Sequence, residues 1–147
     1  MLRRLVLTAT VSAAALAGAV PAAGAVTSPL PLPVTLLDSP DRLTVVVSET
    51  GTRTDGRYEL ECSPAGGTHP AAGAACERLD EFALQNHDPF APVPEGQMCT
   101  QQFGGPATAR VTGTWQGRRV DATFDRSDGC EISRWHMLEP LLPNTRS

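Results

Sequence analysis

The residues that could do chemistry here are four cysteines, three histidines, some paired acids and one pair of glutamines. The cysteines are Cys62, Cys76, Cys99 and Cys130. No C-x-x-C pair occurs, and His69, His87 and His136 show no ligand spacing, so a zinc site has no support and no metal is assigned. An even cysteine count in a small exported domain reads as two disulfides. Four cysteines allow three pairings. The sequential one closes two separate loops, each closure contributing roughly 3 kcal/mol through the unfolded state. Covalent catalysis needs a nucleophile beside a base. His69 sits in Gly67-Thr68-His69-Pro70 and His87 in Asn86-His87-Asp88-Pro89, both turns, and His136 falls in a C-terminal apolar segment. There is no G-x-S-x-G and no phosphate loop. The histidines read as turn or surface residues, and Glu59 and Glu61 as solvated acids on one strand face. No catalytic residue and no cofactor are assigned.

One stretch has the residue types of a binding loop: Gln97, Met98, Cys99, Thr100, Gln101, Gln102, Phe103. Pro89, Pro92 and Pro94 precede it and Gly104-Gly105-Pro106 closes it, so neither a helix nor a central strand fits. It reads as an exposed loop stapled at Cys99. Such a loop, backed by a sheet, meets the needs of a substrate-like protease inhibitor. The segment must offer an extended backbone to a protease cleft by strand addition. It must also be rigid, so that cut ends stay together and little entropy is lost on binding.

The elements that must hold this loop follow from periodicity. Leu43 to Val47 is a β-branched strand, and Tyr58, Leu60 and Cys62 alternate with Arg57, Glu59 and Glu61 in a second strand after a Gly-containing turn. Ala75, Leu79, Phe82 and Ala83 follow helical spacing within about Ala74–Gln85. Ala109, Val111, Gly113 and Trp115 alternate with polar residues, as do Val120, Ala122 and Phe124, and Gln116-Gly117 between them supplies a hairpin turn. Ile132–Leu138 is expected as a fifth strand, with Trp115 and Trp135 as core or sheet-face residues. An exposed Trp135 would mark an interface. The sum is an antiparallel sheet carrying a helix, an α+β fold.

At the N-terminus, Arg3 and Arg4 precede an apolar run from Leu5 to Val20 and an Ala23-Gly24-Ala25 cleavage signature. This is a secretory signal peptide over 1–25, too short for a membrane span, so no membrane attachment is expected after cleavage. Pro29, Pro31, Pro33 and Pro40 make 26–41 a flexible leader, with the domain at 42–147. Without Arg3 and Arg4, ten arginines face sixteen acids, a net charge of −6, and there is no lysine. A secreted acidic domain of this kind is a poor partner for nucleic acid.

Two blocks then carry a resemblance: Cys62-Ser63-Pro64-Ala65-Gly66-Gly67-Thr68-His69-Pro70 running on to Cys76, and Gly113-Thr114-Trp115-Gln116-Gly117-Arg118-Arg119-Val120 followed by Cys130-Glu131, with Met98-Cys99-Thr100 between. Over roughly Leu43 to Leu138 the chain resembles the Streptomyces subtilisin inhibitor family. The resemblance implies a secreted inhibitor of extracellular subtilisin-like serine proteases, usually a homodimer. It also implies a five-stranded antiparallel sheet with two α-helices and disulfides Cys62–Cys76 and Cys99–Cys130. The reactive bond it implies is Gln101–Gln102, with Met98 at P4, Cys99 at P3, Thr100 at P2 and Phe103 at P2′. Asp128 takes the place of an asparagine that supports the loop.

Three departures qualify this. Gln101 replaces the usual Met, Lys or Arg and leaves the acid of a trypsin pocket unpaired. Gly104-Gly105 lengthens the primed side by one residue and is expected to loosen it. Asp128 cannot donate the hydrogen bonds an asparagine amide can. The alternatives are a non-inhibitory binding or structural module on the same fold, or a transglutaminase substrate presenting Gln101 and Gln102.

Overall fold

The structure is a computed structural model describing residues 40–145. The expected signal peptide and the leader up to residue 39 lie outside the described residues. Period-2 alternation along β1 (Arg42–Ser48) sends Leu43, Val45 and Val47 inward. β2 (Gly56–Glu61) pairs with it antiparallel, Leu43 opposite Leu60 and Val45 opposite Tyr58. β4 (Thr108–Trp115) flanks the other side of β1, with Val45 opposite Val111. β5 (Arg118–Phe124) returns through Gln116-Gly117, both at positive φ (50° and 69°), the two-residue turn that matches strand twist. A two-residue β3 (Gly66–Gly67) completes a five-stranded antiparallel sheet in the order β3-β2-β1-β4-β5.

One sheet face carries the core. α1 (Ala72–Leu84) buries Ala75, Cys76, Leu79 and Phe82 at helical spacing, and Cys76 is bonded to Cys62 just past β2. The outer sheet face is polar: Arg110 makes a bidentate pair with Asp121, and Arg42 pairs with Glu61. Glu59 accepts from Thr44 and Arg57, as a solvated strand acid should.

Two expectations are corrected. Ile132–Leu138 is not a strand but part of α2 (Gly129–Met137) and its C-terminal cap. Ile132, Trp135 and Leu138 are the buried residues, a spacing of three that only a helix turns to one side. The start signal is in the sequence: Asp128 caps the helix by accepting from the N–H groups of Cys130 (2.8 Å) and Glu131 (3.0 Å). Trp115 and Trp135 are both buried, and Trp135 Nε1–H donates to Pro143 O at 2.9 Å, so neither marks an interface.

The second correction is His69, which is not a surface turn residue. It is buried, with Nε2 3.0 Å from Leu141 O and Nδ1 accepting from the Ala71 N–H at 3.2 Å. Both bonds require the neutral tautomer protonated on Nε2. Burial holds its pKa below the ordinary histidine value.

Candidate functional site

The stretch 98–106 has no regular secondary structure, and its outer face is open to solvent. Met98 is 95% exposed and Phe103 69%, while Thr100, Gln101 and Gln102 are exposed as well. Large apolar side chains this exposed are absent from a folded core by choice of position, and two of them flank the glutamine pair. The approach to the loop is fixed. Phe90 is buried edge-on against Trp115 (centroids 5.5 Å apart), and Asp88 pairs with Arg118 at 3.0 Å. The proline-rich segment is therefore anchored before the loop begins.

The loop is held from behind by the segment 126–130, which runs from the end of β5 into α2. Three ties join them. Cys99 is bonded to Cys130, with their Cα atoms 5.4 Å apart. The Gly129 N–H donates to Thr100 O at 3.0 Å, and the Gly104 N–H donates to Arg126 O at 2.8 Å. The two backbone bonds bracket Gln101, Gln102 and Phe103. Between the loop, the proline-rich segment and α2 lies a cleft of about 690 Å³, lined in part by Pro92, Met98, Thr100, Ile132 and Met137. The loop is thus supported at its ends, and its middle residues are exposed.

Both backbone ties need glycine for a close approach. A Cβ on Gly129 would overlap Thr100 Oγ1. A Cβ on Gly104 would stand 2.8 Å from Ile132 Cγ1 and 3.1 Å from Arg126 Cβ. Of the Gly104-Gly105 pair expected to loosen the primed side, Gly104 is tied down. Gly104 is half-buried and hydrogen-bonded, and its glycine serves packing. Sequence reasoning missed Arg126 and Ile132, whose contact with the loop only the tertiary structure creates.

Asp128 sits beneath the loop, but its recorded hydrogen bonds go to α2, not to the loop. Its carboxylate fixes the helix start that presents the Gly129 N–H and Cys130. Cys99, Asp128 and Cys130 place ligand-type atoms within 4.8 Å of one another. The two sulfurs are bonded to each other, so one carboxylate is the only free donor and the trio does not suit a metal. The histidines are dispersed. His69 is buried near Leu141, His87 is exposed beside Phe82, and His136 on α2 is 4.0 Å from Glu139.

Comparison with known proteins gives a consistent result. A family model described as "Subtilisin inhibitor-like" matches residues 39–126. The chain is 37% identical over 100 residues to subtilisin inhibitor-like protein 1 of Streptomyces cacaoi, covering 61% of this chain and 86% of that protein. It is 46% identical over 63 residues to a subtilase-type protease inhibitor of Streptomyces coelicolor, covering 42% of this chain and 41% of that one. A solved structure, Streptomyces caespitosus sermetstatin in complex with Bacillus licheniformis subtilisin, matches at 31% identity over 65% of this chain and 88% of that chain. Its TM-score is 0.36, at which the superposition carries no argument.

Proposed function

The chain belongs to the subtilisin inhibitor-like family, and from that premise we propose that it is a secreted inhibitor of subtilisin-like serine proteases. It binds as a substrate would, with Gln101–Gln102 across the catalytic serine. One observation carries this reading: an exposed segment with both flanks tied to a single backing strip, by Gly129 to Thr100 and by Gly104 to Arg126. A protease cleft reads extended backbone, and a segment already held in shape loses little entropy on entering it.

The roles then follow. Met98 fills the P4 pocket and Phe103 lies on the primed side, the two exposed apolar anchors of the loop. Gln101 enters the primary pocket uncharged, so a pocket built around an acid is refused. Cys99 locks the non-primed side through Cys130. Asp128 supports the loop indirectly, by capping the helix that carries Gly129 and Cys130. The polar outer sheet face, with Val46 37% exposed in it, is the surface for a homodimer.

The test is a titration of the mature protein against subtilisin. Stoichiometric loss of protease activity is expected, with any slow cut adding one water at Gln101–Gln102. The Cys99–Cys130 bond keeps the halves joined until reduction. Rapid digestion without inhibition would rule the reading out.

A further inference from the structure

The two halves of the loop are held by different means. The non-primed half has a covalent bond, Cys99–Cys130. The primed half has no covalent tie, and one peptide, at Gly104, carries it. The Gly104 N–H is bonded to Arg126 O at 2.8 Å. An added Cβ there would meet Ile132 Cγ1 at 2.8 Å, Ile132 Cδ1 at 2.9 Å and Arg126 Cβ at 3.1 Å. The backbone therefore lies directly on two side chains. Both are 8% exposed. Ile132 belongs to the first turn of a helix fixed by the Asp128 cap and Cys130. Arg126 is buried, and among the described residues its Nε has no partner while Nη1 donates to Thr145 O at 3.5 Å. Its stem lies along the loop, with Cβ within 3.1 Å of where a Gly104 side chain would begin.

We infer that Gly104, seated on Ile132 and Arg126, is the positioning residue that keeps the leaving amine in place, and so decides between inhibitor and substrate. This rests on the inhibitor reading above. In that reaction the protease serine oxygen attacks the Gln101 carbonyl carbon, and the Gln101–Gln102 amide breaks. Gln101 becomes an acyl ester on the serine, and Gln102 leaves as a free amine after taking up the serine proton. Water on the ester completes hydrolysis. Attack by the amine instead re-forms the amide and returns the serine hydroxyl. The choice depends on the time Gln102 spends near the ester, and Gly104, two residues on, is the nearest fixed point. A held amine has a high effective concentration, and small displacements lose it.

Gly104 has no left-handed φ, so alanine fits its backbone and only the seat is lost. Gly104→Ala is therefore expected to raise turnover of the Gln101–Gln102 bond by subtilisin about a hundredfold. The unfolding transition should stay cooperative, and any slowing of complex formation should be far smaller than the rise in turnover. Gly104→Ala with Ile132→Ala removes the obstructing Cγ1 and Cδ1 and should restore slow turnover. A general loss of stability, unlike this local clash, would be deepened by a second core truncation.

If Gly104→Ala resists cutting as well as the unmodified protein does, the inference is overturned while the inhibitor reading stands. The same holds if the double variant is cut as fast as the single one. If the unmodified protein itself never inhibits, the inhibitor reading falls, and this inference with it.

Discussion

The chain closes two loops with disulfides, and the two are built differently. Cys62 and Cys76 are 7% and 6% exposed and belong to the core. The segment they span is held independently, since β3 pairs with Leu60 and Glu61, and the N–H groups of Thr68 and His69 both donate to Glu59 O. Cys99 and Cys130 are partly exposed, and the loop beside them has one backbone tie on each flank. In chain-entropy terms the second bond, spanning 31 residues, contributes about 4 kcal/mol, and the first, spanning 14, about 3 kcal/mol. Loop length thus favours the second bond, while burial favours the first. The contrast teaches that one covalent bond can serve either packing or presentation, depending on what else holds the same backbone.

The sharpest break of that contrast is Cys62→Ala with Cys76→Ala. Loop entropy and a core cavity together should cost about 3–5 kcal/mol, read by urea unfolding. Inhibition of subtilisin by the fraction still folded should be unchanged. Cys99→Ala with Cys130→Ala should do the converse. The sheet stays folded, and inhibition becomes short-lived, with cutting about a hundredfold faster. Equal losses of inhibition in the two variants would erase the distinction.

Asp128→Ala tests whether the helix cap belongs to the presenting region, with an expected loss of about 1 kcal/mol and faster cutting at Gln101–Gln102. Asp128→Asn should differ little from the parent, because asparagine caps as well as aspartate. A large gain from asparagine would mean that the side chain acts on the loop directly.

The smallest effect separates the regions by pH. His69 lies in the first region and is held neutral by burial, its folded pKa below the ordinary 6.5. The unfolded chain then binds more protons just below pH 6.5, so His69 contributes stability above that pH which is lost as pH falls toward its folded pKa. The melting midpoint should drop between pH 7 and about pH 5, and His69→Gln should flatten that slope. A slope unchanged in His69→Gln would assign the dependence to other groups.

Much of the scaffold was legible because it is local. Alternation in β1, β4 and β5 placed Leu43, Val45, Val111 and Phe124 inward, and Gln116-Gly117 announced its own turn. α2 was less legible because its apolar residues, Ile132, Trp135, Met137 and Leu138, span only seven positions, too few for a helical period to stand out. The capping aspartate, with Glu131 three residues on, was the overlooked signal. His69 was misread because a Thr-His-Pro turn carries no local sign of the Leu141 carbonyl that meets it.

By itself, the sequence determined the strands β1, β2, β4 and β5, the α1 face, the even set of cysteines and the exposed polar loop with its two glutamines. These are properties of neighbours along the chain. Only the tertiary structure decided that Gly104 rests on Ile132 and Arg126, and that Gly129 holds Thr100. It also decided which cysteine pair is buried. Those contacts join residues far apart in sequence, and the sheet order and the start of α2 set them. No local pattern encodes a distance between two segments that meet only after both have been placed.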